Sequence, residues 1–223
     1  MKTPVMPLHF LTVVALAAGL STSALAQDSA NPAAARQKVA MCIGCHGIAG
    51  YQASFPEVHK VPKISGQNAK YIAAALTAYR KGERKHPTMK GIAAPMSDQD
   101  IADISAFYEA SGKDQPVAPA APVSATPADI QALLTKGNCL ACHGADLNKP
   151  IDGSYPKLAG QHADYLYVAL KSYQIENNRQ IGRANAIMGP QAKMFTQQEL
   201  KQLSTYIASL PGDLKTVAQP KFR

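Results

Sequence analysis

All four cysteines of the chain sit in two copies of one pattern, Cys42-Ile43-Gly44-Cys45-His46 and Cys139-Leu140-Ala141-Cys142-His143. Each is a C-x-x-C-H, the pattern by which a c-type haem is covalently attached. Two thiols three positions apart on one turn reach the vinyl groups along one edge of a porphyrin. The histidine that follows is then held under the iron as its proximal ligand. Four thiols also make a zinc site, and a C-x-x-C pair also makes a redox dithiol. The zinc reading leaves both trailing histidines without a purpose, and a redox dithiol has no reason to end in histidine twice. The pattern predicts two covalently bound haem c groups, held by Cys42 and Cys45 and by Cys139 and Cys142. His46 and His143 are then the proximal ligands, and no thiol is left for a disulfide.

The second axial ligand decides between electron transfer and catalysis. A methionine thioether favours Fe(II) and closes the iron to substrate. The candidates are Met89 and Met96 in the first half and Met188 and Met194 in the second. Met89 lies eight residues before Ser97, and Met188 lies eight before the matching Thr196, whereas Met96 corresponds to Phe195 and Met194 to Pro95. Only Met89 and Met188 are equivalent, and they are the expected sixth ligands, carried on loops. Met96 and Met194 are expected to fill apolar gaps beside the last helix of each half. His86, three residues before Met89, is the alternative ligand. His59 and His162 read as surface or turn histidines.

The elements that position these residues come in two sets. Asn31-Pro32 starts a helix that runs from Ala33 into Met41 and delivers Cys42. A second helix covers about 68–81, with Tyr71, Ala75, Leu76 and Tyr79 on one face. The charged, glycine-containing loop 82–95 follows. Ser97 to Asp100 is a capping box that opens a third helix, with Ile101, Ile104, Phe107 and Tyr108 at helical spacing and Gly112 closing it. The order then repeats. Cys139 and His143 follow Cys42 and His46 by 97 residues, and Pro156-Lys157-Leu158-Ala159-Gly160-Gln161 follows Pro62-Lys63-Ile64-Ser65-Gly66-Gln67 by 94. Thr196 to Glu199 follows Ser97 to Asp100 by 99. The offsets drift only in loops, where insertions are tolerated.

The chain therefore reads as all-α, with domain 1 at 31–111, a Pro/Ala-rich linker at 112–126, domain 2 at 127–211 and an aperiodic, mobile tail at 212–223. Each domain is about 80 residues, small enough that a tethered cofactor adds materially to its core. The apo form is expected to fold poorly. Pro62 and Pro156 sit where a backbone carbonyl can accept from the second nitrogen of a proximal histidine. Lys63, Lys157, Gln67 and Gln161 are candidates for meeting haem propionates.

Residues 1–26 read as a secretory signal peptide: Lys2, a mostly apolar run from Leu8 to Leu20, then Ala24-Leu25-Ala26 as the cleavage pattern. Export to the periplasm follows. Cleavage removes one charged residue, Lys2, from a formal charge of +8, and four propionates would lower the remainder to about +3. That surplus lacks dense basic runs, so nucleic acid is not an expected partner.

Tandem C-x-x-C-H domains, each with a Pro-Lys-x-x-Gly-Gln element, a later methionine and a Ser/Thr-capped last helix, resemble the cytochrome c4 family over nearly all of the exported chain. The resemblance implies two class I cytochrome c domains related by a pseudo-two-fold axis, with axial pairs His46/Met89 and His143/Met188. It implies a periplasmic electron carrier, soluble or peripherally associated with the membrane, that passes electrons towards a terminal oxidase or reductase. The proline-rich linker makes close docking of the domains less certain to follow. The alternative is a cytochrome subunit fixed to a sulfide- or alcohol-oxidising dehydrogenase. A catalytic dihaem peroxidase or thiosulfate-oxidising enzyme is disfavoured by the two matched methionines.

Overall fold

The computed structural model describes residues 30–114 and 125–218. The proposed signal peptide, most of the linker and the last five residues lie outside them. Domain 1 contains α1 (Ala35–Lys38), α2 (Ala40–His46), β1 (Gln52–Ala53), β2 (His59–Lys60), α3 (Ala69–Lys81), β3 (Arg84–Lys85), α4 (Pro87–Ala93) and α5 (Asp98–Ala110). Domain 2 contains α6 (Ala128–Lys136), α7 (Cys139–His143), α8 (Ala163–Gln174), β4 (Gly182–Arg183), α9 (Met188–Lys193) and α10 (Gln197–Ser209). Among the described residues the fold is all-α but for two two-stranded ribbons.

Local signals set the helix starts. Asn31 Oδ1 accepts from the amides of Ala33 and Ala34, satisfying donors that no helical carbonyl can reach. Ser97 and Thr196 each form a complete capping box, with Asp100 and Glu199 reaching back to the cap amide. One entry helix was expected in domain 1, but the chain forms two, α1 and α2, parted at Val39, whose amide still bonds to Ala35. Asp103 anchors this corner: it is buried, accepts from the Asn31 amide at 2.8 Å and pairs with Lys38 at 2.9 Å.

Each domain has its own core. Ile72 and Leu76 of α3 pack with Ile101, Ile104 and Tyr108 of α5 in the first. Leu166 of α8 packs with Leu200, Leu203 and Ile207 of α10 in the second. Methionines 96 and 194 diverge: Met96 is in the first core, as expected, whereas Met194 is 43% exposed and the core place is taken by Phe195. A large flat ring serves there, so the neighbouring methionine is left outside.

The domains dock, linker notwithstanding. β3 pairs antiparallel with β4, Arg84 opposite Arg183, so one ribbon is built from both domains. Glu57–Lys171 at 2.8 Å and Lys60–Asp164 at 3.4 Å add ion pairs across the same boundary.

Residues 212–218 are not the free tail that their lack of periodicity suggests. Leu214 is buried, Asp213 pairs with Lys157, and Lys215 bridges to Ser65 of domain 1. An irregular strap needs no period when its backbone groups are met one by one. It passes so close to Gly66, at φ +82°, that a Cβ there would lie 2.7 Å from the Asp213 carbonyl oxygen. The strap thus requires glycine at that position of the Pro-Lys-x-x-Gly-Gln element.

Candidate haem-binding site

The first C-x-x-C-H lies wholly in α2 and the second forms α7. Cys42 and Cys45, like Cys139 and Cys142, are therefore one turn apart with the histidine at the helix end. All four thiols are free. Cys42 packs on the first core and Cys139 on the second, and burial raises both thiols above their ordinary pKa. The buried Tyr108 hydroxyl has no nitrogen or oxygen partner and sits against the Cys42 thiol. Among the described residues no three His, Cys, Asp or Glu side chains gather into a metal cluster, so the two cysteine pairs do not converge on a shared zinc.

His46 donates from Nδ1 to the Pro62 carbonyl oxygen at 2.9 Å, and His143 donates from Nδ1 to that of Pro156 at 3.0 Å. These are the carbonyls the repeat pointed to. Since a carbonyl only accepts, the proton is on Nδ1 in both rings, and each Nε2 lone pair is free for iron. Burial lowers both imidazole pKa values against the opposing pull of the proline carbonyls, with the Arg84 charge lowering His46 further. Both rings are thus held neutral, the form that ligates. Two thiols and one oriented imidazole per domain are the donor set that a covalent haem c requires.

The methionines are not on loops. Met89 is in the first turn of α4, and Met188 opens α9. Pro87 and Pro190 both fall in a first turn, where proline has no helical amide bond to forfeit. In both helices, a side chain three residues upstream accepts from the methionine amide. His86 Nδ1 accepts from the Met89 amide at 3.4 Å, and Asn185 Oδ1 accepts from the Met188 amide at 2.8 Å. His86 also meets the Phe55 ring edge-on, with 5.7 Å between ring centroids. The His86 ring thus caps the helix that carries Met89. Met89 packs against the first core together with Cys42 and Ile43. His59 is buried, not at the surface: its Nδ1 donates to the Glu57 carbonyl oxygen and its ring faces Tyr165 of domain 2. His162 is the N-cap residue of α8.

Gln67, Gln161, Lys63 and Lys157 meet across the domain boundary. Gln67 Nε2 donates to the Lys157 carbonyl and its Oε1 accepts from the Lys157 amide. Gln161 does the same with Lys63. Lys63 Nζ donates to the Gly160 carbonyl.

Sequence reasoning missed a second interdomain group. Arg84 donates to the hydroxyls of Tyr71 at 3.3 Å and Tyr165 at 2.8 Å, and Arg183 donates to Tyr165 at 3.2 Å. Arg84 also stacks over Tyr79, and Arg183 over Tyr173. The repeat holds the signal: Arg84 and Arg183 share the offset that relates Met89 to Met188.

The chain is similar to known proteins over most of its length. Residues 33–110 and 127–211 both match the family model described as Cytochrome c. The chain is 38% identical over 201 residues to cytochrome c4 of Thiocapsa roseopersicina, covering 84% of this chain and 96% of that one. The crystal structure of reduced recombinant cytochrome c4 from Pseudomonas stutzeri superposes with a TM-score of 0.60 at 28% identity, covering 81% of this chain and 99% of that one. A protein of Stutzerimonas stutzeri named thiosulfate dehydrogenase electron acceptor is 28% identical, covering 82% of this chain and 83% of its own. Two matched segments, each with an intact C-x-x-C-H and an oriented histidine, place this chain in the cytochrome c4 family, electron carriers whose domains bind haem c covalently.

Proposed function

We propose that the protein is a periplasmic dihaem carrier that takes electrons from one redox protein and delivers them to another. Each haem, when bound, supplies a one-electron iron couple. Cys42 and Cys45 hold one and Cys139 and Cys142 the other. His46 and His143 bind iron through Nε2, and Met89 and Met188 supply the thioether on the opposite side. The observation that carries the reading is that both imidazoles are fixed in the same tautomer by equivalent proline carbonyls, which leaves Nε2 as the sole coordinating atom. No substrate pocket is needed, only exposed haem edges and weak, transient docking.

Residues 1–26 direct export, and no helix of the described residues is long and apolar enough to cross a membrane. Terminal oxidases or reductases are the proposed acceptors and dehydrogenases the donors. A second reading, an electron-accepting subunit of a periplasmic dehydrogenase, is favoured by the relative named thiosulfate dehydrogenase electron acceptor and by the likeness to a thiosulfate dehydrogenase structure from Marichromatium purpuratum, with a TM-score of 0.52.

Mass spectrometry of the exported protein tests the assignment. The expected mass is that of residues 27–223 plus two haems, with haem-bearing peptides at Cys42/Cys45 and at Cys139/Cys142. A chain without added haem overturns it. Co-purification with haem staining separates the readings: a stable flavin- or quinone-protein partner favours the subunit, and a lone carrier favours the shuttle.

A further inference from the structure

The two proximal histidines are joined to the opposite domains by one peptide unit each. The Pro62 carbonyl that accepts from His46 belongs to the same peptide as the Lys63 amide, and that amide donates to Gln161 Oε1 at 3.0 Å. In domain 2 the Pro156 carbonyl accepts from His143, and the Lys157 amide of that peptide donates to Gln67 Oε1 at 2.9 Å. Each glutamine completes the pair by donating Nε2 to the lysine carbonyl, at 2.8 Å for Gln161 and 3.0 Å for Gln67. Both glutamines are buried, at 5% and 4% exposure, so water does not compete for these bonds. Each Oε1 also accepts from the next backbone amide, His162 or Asn68, at 3.0 Å, which fixes the amide group's orientation.

A peptide whose N–H is engaged by a strong acceptor is polarised, and its carbonyl becomes a better acceptor in turn. A stronger pull on Nδ1–H makes Nε2 a better donor to iron and favours the ferric state. We propose that Gln161 and Gln67 are crossed positioning residues: Gln161 of domain 2 sets the potential of the His46 haem, and Gln67 of domain 1 that of the His143 haem. The proposal rests on the reading of His46 and His143 as iron ligands. It makes the docked interface part of each redox site, since undocking would remove the acceptor from both relays.

The test uses the intact haem-loaded protein. Nuclear magnetic resonance of the reduced wild type first locates the two histidine Nδ1–H signals in the strongly ring-shifted region; their absence there would defeat the ligand reading itself, not the relay. Gln161→Leu is then expected to weaken the His46 Nδ1–H hydrogen bond, seen as an upfield move of that proton and faster exchange with solvent. The haem methyl signals followed through stepwise reduction should show the His46 haem at a higher potential and the His143 haem unchanged. Gln67→Leu should give the mirror result. If either variant fails to fold, Gln→Met at the same position keeps length and volume while removing both polar atoms, and is read the same way. Both haems shifting together, the haem of the substituted domain shifting instead, or neither shifting overturns the proposal.

Discussion

Arg84 and Arg183 lie opposite each other in the ribbon that joins the domains, and both guanidinium groups donate to the hydroxyl of one residue, Tyr165. Burial alone would raise the Tyr165 pKa, but the charges of Arg183 and Arg84 outweigh it and hold the phenol below its ordinary value near 10. Tyr165→Phe leaves donors on two charged groups without an acceptor and is expected to cost about 2 kcal/mol. The pH dependence has a definite sign. A depressed folded pKa contributes stability that is complete above the unfolded pKa and is lost as pH falls through the folded value. The gap in thermal midpoint between the native protein and Tyr165→Phe should therefore widen from neutral pH towards pH 10. A constant gap would show that the phenol does not ionise between the two arginines.

Asp100 is the acid-sensitive counterpart. Its carboxylate accepts from Lys38 and from both the amide and the hydroxyl of Ser97, which brings its pKa down to about 2. Its contribution is complete above the unfolded carboxylate value and disappears as pH falls through about 2. The side chain is 31% exposed, so screening reduces the effect. Asp100→Asn should cost about 1 kcal/mol at neutral pH, and the difference should vanish at the acid end of a denaturation series.

Met89→Ala and Met188→Ala should each remove the ferric methionine–iron charge-transfer band from one haem and lower its potential. The two changes should be independent in spectrum, since the residues stand on separate short helices. An unchanged spectrum in either variant excludes that methionine as a ligand.

Leu214 is 4% exposed in the strap. Leu214→Ala should cost roughly 2 kcal/mol or more, measured by denaturant unfolding. A chain ending at Pro211 should lose at least as much, because the Lys157–Asp213 pair goes too. Stability unaffected by either change would mean that the strap adds nothing to the docked state.

What the sequence disclosed was what is local or repeated. The capping boxes at Ser97 and Thr196, the helices near 68–81 and 98–110 and the histidine-accepting prolines follow from neighbours a few positions away or from the duplication. The methionine-bearing helices were hidden because Pro87, Gly91 and Pro190 mimic loop composition, and only the side chains of His86 and Asn185, each accepting from the methionine amide three residues on, distinguish a first turn from a break. The interdomain bonds of Gln67, Gln161, Arg84 and Arg183 join residues about 80–100 positions apart. No periodicity encodes such contacts, although their shared spacing in the repeat marks them as equivalent. The anchoring of 212–218 is invisible for the same reason: it is met by Asn148, Lys157 and Ser65, none nearby in the chain.

The Gln–Lys contacts are reciprocal: what the first half offers the second, the second offers back. That is the geometry of an isologous dimer, in which one patch is its own complement. Here both patches belong to a single polypeptide, so the partner's effective concentration is set by the tether and not by protein abundance. Assembly cannot be lost on dilution, and the two halves are free to accumulate different substitutions without forfeiting their stoichiometry.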